Sequence, residues 1–252
     1  MPHELMFKYK EESRPPEKLV GDYQVQLFDT VNPIAIDLGC SIGAFTLGYS
    51  HVFDTIYSID ACYTNCRILE NNLRKNHVKN CLPFHFAASN VTGELCKLYG
   101  RTSSPYNNIS ICENTIFKSG LDIRGTKDFA ESKLTDEHDS HYAMTISFPD
   151  MLKFLGVKKI HFLKVDIEGA EYDFLYGQDL SMVDVLAIEV HFSKNSQSKK
   201  LVDYLSQTFD IAPSREGTHR ELTCTNSKFK GKESTHYKST LEAETIDCYY
   251  RG

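Results

Sequence analysis

The sequence predicts an α/β domain, a mostly parallel sheet with helices on both faces. Short apolar runs bounded by turn residues recur along the chain, as fully buried strands do. Segments with apolar residues three or four apart lie between them, as helices do. Three of the runs, "IAID", "TIYSID" and "FLKVD", end in an acid. Strands alternating with helices imply right-handed βαβ units and therefore a parallel sheet.

Taken in order, residues 1–30 are an irregular lead-in broken at Pro15-Pro16, and residues 31–252 a single domain. "NPIAIDLG" (32–39) is the first strand and "AFTLGYSHVF" (44–53) the helix after it. "TIYSID" (55–60) is the second strand. "CYTNCRILENNLRKNH" (62–77) is a helix, with Cys62, Cys66, Leu69 and Leu73 on one face. "CLPFHFAAS" (81–89) is a third strand and "GELCKLYG" (93–100) an extended piece after a turn. Residues 101–142 form a polar insertion rich in Ser, Asn, Thr and charge, expected as a lid or a docking element. "AMTISF" (143–148) resumes as a strand and "PDMLKFLG" (149–156) opens a helix on Pro. "KIHFLKVD" (159–166) is the next strand, "AEYDFLYG" (170–177) a helix ending at Gly177, and "DVLAIEVHF" (184–192) another buried strand. "SQSKKLVDYLSQTF" (196–209) is an amphipathic helix, and "FDIAPS", "RELTCTN" and "ETIDCYY" are closing strands.

The 252 residues are 41% hydrophobic and 25% charged, which is ordinary globular composition. No stretch approaches the roughly 20 apolar residues that span a bilayer. The polar N-terminus does not read as a secretory signal, so a cytoplasmic location is expected. A net charge of −6 disfavours a broad nucleic-acid footprint. The eight cysteines contain no C-x-x-C pair, which excludes zinc-ribbon spacing and fits reduced thiols.

"IDLGCSIGAF" (36–45) places Asp37, Gly39, Cys40, Ser41 and Gly43 between a strand and a helix. Glycines there permit a sharp turn, and the helix start offers free N–H groups to a ligand. The spacing is not G-x-G-x-x-G, and Ser41 occupies the place where a glycine would admit a pyrophosphate, so a nicotinamide dinucleotide fits poorly. Asp37 suits a cationic ligand, and S-adenosylmethionine (SAM), with its ammonium and sulfonium, answers that description. Asp60, about 20 residues on at the end of the second strand with Ala61 beside it, can accept from both ribose hydroxyls. Ala87 and Ala88 are small enough to leave room for an adenine.

"IDLGCSIGAFTL", "YSIDACYTNCRILENNLRKN", "FHFAASNVTGE" and above all "FLKVDIEGAEYDFL" resemble the FkbM-type SAM-dependent methyltransferases. The last is close to that family's Lys-x-Asp-x-Glu-Gly-Ala-Glu hallmark. The resemblance covers roughly residues 33–100 and 143–192; Ser147-Phe148-Pro149-Asp150 departs from the family's Leu-Asp-Asp-like residues. It implies a Rossmann-like, seven-stranded class I methyltransferase fold and O-methylation of a hydroxyl on a sugar or other natural product.

The acids after the "FLKV" run follow from that frame. Asp166 is expected beside the methionine part of SAM. Glu168 is expected to hold the acceptor or a metal and is, with His191, a candidate catalytic residue; Glu171 is expected to satisfy N–H groups at the next helix start, and Asp173 to be solvated. Lys164, inside an apolar strand, needs a carboxylate partner. Glu189 and His191 share a face two residues apart. His191 is a candidate base, since an unperturbed histidine titrates near neutrality. A divalent cation on Asp166, Glu168 or Glu189 is the alternative way to make an alcohol nucleophilic. The acceptor is expected to be a small hydroxylated molecule. The alternatives are a nucleic-acid cap hydroxyl, or a SAM-binding regulatory or assembly protein that transfers nothing.

Overall fold

A computed structural model describes residues 23–99, 140–191, 197–213 and 221–240. Most of the lead-in, the polar insertion up to residue 139 and the closing segment 244–250 lie outside the described residues. In chain order the strands are β1 (Val25–Leu27), β2 (Ile34–Leu38), β3 (Thr55–Asp60), β4 (Cys81–His85), β5 (Ala87–Ala88), β6 (Leu95–Tyr99), β7 (Ser140–Ile146), β8 (Ile160–Val165), β9 (Val183–Glu189), β10 (Phe209–Pro213), β11 (Glu221–Asn226) and β12 (Thr235–Tyr237). The helices are α1 (Ala44–Tyr49), α2 (Tyr63–Lys75), α3 (Phe148–Leu155), α4 (Glu171–Leu175) and α5 (Gln197–Leu205).

Seven strands form one sheet in the order β10-β11-β9-β8-β2-β3-β4. The run from β9 to β4 is parallel, and β11 is antiparallel to both of its neighbours. Alternate residues feed opposite faces, as the pleat requires. Ile36, Leu38, Leu163, Val165, Leu186 and Ile188 pack on one side. Ala35, Phe162, Val185 and Ala187 pack on the other, under Phe45, Leu69 and the N-terminal Tyr23, Val25 and Leu27. Both faces are covered, which is why the strands read as continuous apolar runs rather than alternating ones.

Three differences from the expected elements bear on the site. The run 81–89 is two strands: β4 belongs to the main sheet, whereas β5 pairs with β7 in a separate three-stranded sheet, Ala87 facing Thr145 and Ala88 facing Ile146. The chain turns at Phe86, whose N–H donates to the Asp60 carbonyl at 3.2 Å. The lead-in is not wholly irregular, since its end supplies β1. That strand pairs antiparallel with β12, and Phe28 stacks on Phe229 with centroids 4.0 Å apart. Finally, α1 stops at Tyr49, short of the expected Phe53, and the Ser50 hydroxyl donates to the Leu47 carbonyl at its end.

No helix among the described residues is long and apolar enough to cross a membrane. The six described cysteines are all free.

Candidate functional site

The parallel strands of the main sheet end at one edge, and at β2 the chain order reverses, with β3 on one side and β8 on the other. Crevices outside such a point are where open α/β sheets bind ligands. The Gly39–Gly43 turn crosses it. At Gly39 (φ 71°) a Cβ would lie 1.7 Å from the Asp166 carbonyl oxygen. At Gly43 (φ 99°) it would lie 2.3 Å from Leu69 Cδ1. These glycines are required by the protein's own packing. The turn's N–H groups are also used internally. Gly39 and Cys40 donate to the Ile59 carbonyl at 2.9 and 3.2 Å, Ser41 to Asp60 Oδ2 at 2.8 Å, and Gly43 to the Cys40 carbonyl at 2.9 Å. The turn is therefore not the cradle of open N–H groups that a pyrophosphate needs. Cys40 faces inward, and burial pushes its thiol well above the usual range.

Asp37 is fully buried rather than open to the crevice. It stands opposite Lys164 in the β2–β8 register, and the two side chains pair at 3.1 Å. Thr46 Oγ1 donates to Asp37 Oδ2 at 2.7 Å. Lys164 Nζ also donates to the Gly39 carbonyl at 2.7 Å. Burial alone would lower the lysine's pKa, but Asp37 and Asp166 reverse the effect and hold it above the ordinary value. The partner that Lys164 needed is thus Asp37, which anchors the turn from beneath through the lysine.

Asp60 closes the second strand as expected. Oδ1 accepts from Cys62 N at 2.8 Å and Asn65 Nδ2 at 3.0 Å, while Oδ2 holds the Ser41 N–H. Burial still leaves its pKa raised, outweighing those three donors. Next to it, the Ala61 carbonyl meets His85 Nε2 at 2.9 Å, and Tyr63, more than half exposed, lies edge-on to the His85 ring. Ala87 and Ala88 are both buried, Ala87 against Leu98 and Ala143 and Ala88 in the main core. They leave little open surface of their own.

Past β8 the acids gather around one imidazole. His191 Nδ1 meets Glu171 Oε1 at 2.8 Å, and Nε2 meets Glu168 Oε2 at 3.3 Å and Glu189 Oε1 at 3.7 Å. Glu171 is buried and also accepts from the N–H groups of Gly169 (3.0 Å) and Ile167 (3.3 Å), the structural task expected of it. Glu168 sits at φ 52°, a left-handed conformation held by the Glu168-Gly169 turn. Burial would lower the His191 pKa. The hydrogen bond and charge of Glu171, followed by Glu168 and Asp166, raise it to about 10 instead. This setting differs from the one expected for a base near neutrality, because Glu171 and Glu168 face the two ring nitrogens and favour the protonated form. Burial, then Asp166, raises Glu189, while His191 pulls it the other way. Asp173 is partly buried, and burial raises its pKa.

Asp166, Glu189 and His191 bring one ligand atom each to within 4.8 Å of one another. They are the described residues that could hold a divalent cation. The set differs from the expected Asp166, Glu168 and Glu189, because Glu168 is turned to the histidine. A cation there would take one ring nitrogen of His191, and on Nε2 it would compete with Glu168 while leaving the Nδ1–Glu171 contact in place.

Sequence reasoning missed Tyr23, whose hydroxyl donates to Asp166 Oδ2 at 3.1 Å from 143 residues away. It also missed Thr46 and the Glu171–His191 contact. No local pattern announces any of the three.

The family model for the methyltransferase FkbM domain matches residues 42–218. No curated protein matched the sequence. Among solved structures, the methyltransferase FkbM from Methylobacillus flagellatus is 15% identical over 79% of this chain and 45% of its own, with a TM-score of 0.45. This chain therefore spans less than half the length of that protein. Fibrillarin from Aeropyrum pernix, with natively bound SAM, is 13% identical over 77% of this chain and 66% of its own, with a TM-score of 0.39. An rRNA methylase from Streptococcus thermophilus is 10% identical over 86% and 99%, also with a TM-score of 0.39. Likeness of this degree carries no residue roles from those proteins to this one.

Proposed function

The chain belongs to the FkbM methyltransferase family, and from that premise we propose that it moves the methyl group of SAM to a hydroxyl of a sugar or other small natural product. The fold is the seven-stranded class I methyltransferase arrangement. One observation carries the reading: Asp166, Glu168, Glu189 and His191 converge at the ends of β8 and β9, beside the Gly39–Gly43 turn. Carboxylates in such numbers at a strand edge are costly unless paired or met by a cationic ligand, and SAM is one.

In this reading Asp60 accepts from the ribose, with Ala61 and the Ala87-Ala88 stretch toward the adenine. Asp166 faces the methionine part. Asp37 acts through Lys164 to hold the turn and does not touch the donor. Glu168, Glu189 and His191 frame the space beyond the sulfur. The acceptor oxygen attacks the methyl carbon in line with the C–S bond, and that bond's electron pair leaves with sulfur. The hydroxyl proton passes to a carboxylate, Glu168 or Glu189. His191, as imidazolium, holds Glu168 and Glu171 in place. Holding the two reactants in register supplies most of the acceleration for a donor that is already activated. So acidic a mouth disfavours a polyphosphate-bearing acceptor such as a nucleic-acid cap.

The test is calorimetric titration with SAM and with its demethylated product, followed by transfer of labelled methyl to a panel of hydroxylated acceptors, cap analogues included. Binding of both, with transfer to a small acceptor that is lost in Glu168→Gln or Glu189→Gln, is the expected result. Binding without transfer to any acceptor would favour a regulatory protein, and no binding would end the proposal. Transfer that survives a chelator excludes a metal. Loss restored by added divalent cation would assign one to Asp166, Glu189 and His191, where it would lower the pKa of the hydroxyl.

A further inference from the structure

Tyr23 is buried, and nothing in its sequence neighbourhood marks it as functional. Its backbone is anchored at the carbonyl, which accepts from the Tyr49 hydroxyl at 3.2 Å, and by β1, which starts two residues on and is paired along its length with β12. Its ring is fixed edge-on to Phe45, centroids 6.2 Å apart at 85°. The Lys164 ammonium lies 5.5 Å from the ring centroid, within cation–π range. A buried tyrosine hydroxyl needs a partner, and a backbone carbonyl is the usual inexpensive one. Here the partner is Asp166, a half-buried carboxylate at the crevice. One side chain thus touches both halves of the site. Its hydroxyl holds Asp166, and its ring covers the lysine that grips the Gly39 carbonyl.

We propose that Tyr23 is a positioning residue of the methyl-donor site, fixing the Asp166 carboxylate so that one oxygen is held by the phenol and the other is left for the donor. The inference rests on the SAM reading above. An aspartate without that bond is free to turn toward His191, whose ring has a ligand atom within 4.8 Å of the carboxylate. The phenol stays protonated in the role, since burial and then Asp166 push its pKa well above the ordinary value.

Tyr23→Phe removes the hydroxyl and keeps the ring over Lys164 and against Phe45, so the fold stands. The whole chain is titrated with SAM and with its demethylated product, as wild type, Tyr23→Phe, Asp166→Asn and the double variant. The expected result is about a tenfold loss of affinity for both ligands in Tyr23→Phe. Both lose alike because both carry the same amino-acid part. The thermal midpoint should barely move, and the same change made in the Asp166→Asn background should cost nothing more. A merely structural tyrosine would lower the midpoint and leave affinity alone. Wild-type affinity in Tyr23→Phe, or an equal loss in both backgrounds, overturns the inference while the SAM reading stands. Failure of the wild-type protein to bind either ligand overturns both, and that outcome is visible before any variant is made.

Discussion

A histidine at a strand end, taken alone, titrates near neutrality and suits a general base. In the fold, His191 lies between Glu171 and Glu168, with Glu189 and Asp166 nearby, and its pKa is raised to about 10. The partner that matters most is 20 residues earlier in the chain. The sequence therefore shows the residue type and the strand face but not the charge state. The consequence for stability has a definite sign. A group whose folded pKa lies above its unfolded value contributes fully below the unfolded value and loses that contribution as pH rises through the folded one. His191 should stabilise the protein in full below about pH 6.5 and progressively less up to about pH 10. The thermal midpoint of His191→Gln should accordingly lie well below that of wild type near pH 6 and close on it toward pH 10. A midpoint difference that stays constant across that range would mean the ring is neutral throughout.

Packing between elements decides what the two glycines of the first turn do. Gly39 sits where the end of β2 meets the end of β8, and a Cβ there meets backbone, the Asp166 carbonyl oxygen, which cannot move without parting the strands. Gly43 sits where α1 meets α2, and a Cβ there meets the tip of the Leu69 side chain, which can rotate. Both positions have positive φ, so both alanine variants carry backbone strain. Gly43→Ala should cost about 1–3 kcal/mol, and Gly39→Ala more, roughly 4 kcal/mol or enough to prevent folding. Urea denaturation of the two variants checks the order, and the reverse order would mean that the β2–β8 contact is slack. The glycines and the flanking elements were legible in the sequence because buried parallel strands and amphipathic helices have short-range patterns. The break between β4 and β5 was not, because it depends on Ala87 and Ala88 finding Thr145 and Ile146, more than fifty residues away. The strand β1 was hidden for the same reason: three residues carry no period, and its partner β12 lies near the other end of the chain.

The main sheet turns separate strand ends into a common edge. Asp60, Asp166 and Glu189 each close or follow a parallel strand, so parallel pairing alone brings them to the same side. That much was readable from runs that end in acids. The internal pairing of those acids was not, and it separates Asp37, cancelled by Lys164, from the carboxylates left facing the mouth. The net charge of the chain is −6, and at the crevice Asp166, Glu168 and Glu189 outnumber His191. A ligand with a sulfonium should feel this negative excess more than its demethylated product, which differs from it by a methyl group and one positive charge. SAM should therefore bind more tightly than the product at low salt. Raising the salt to about 1 M shortens the screening length to roughly 3 Å and should shrink that preference. The product's own affinity, resting on hydrogen bonds and stacking, should change less. Titrating both ligands at the two ionic strengths measures the ratio directly. A ratio that does not move with salt would mean that the sulfonium lies outside the reach of Asp166, Glu168 and Glu189. The acidic mouth would then face the acceptor rather than the donor, so the same measurement decides which of the two reactants these carboxylates serve.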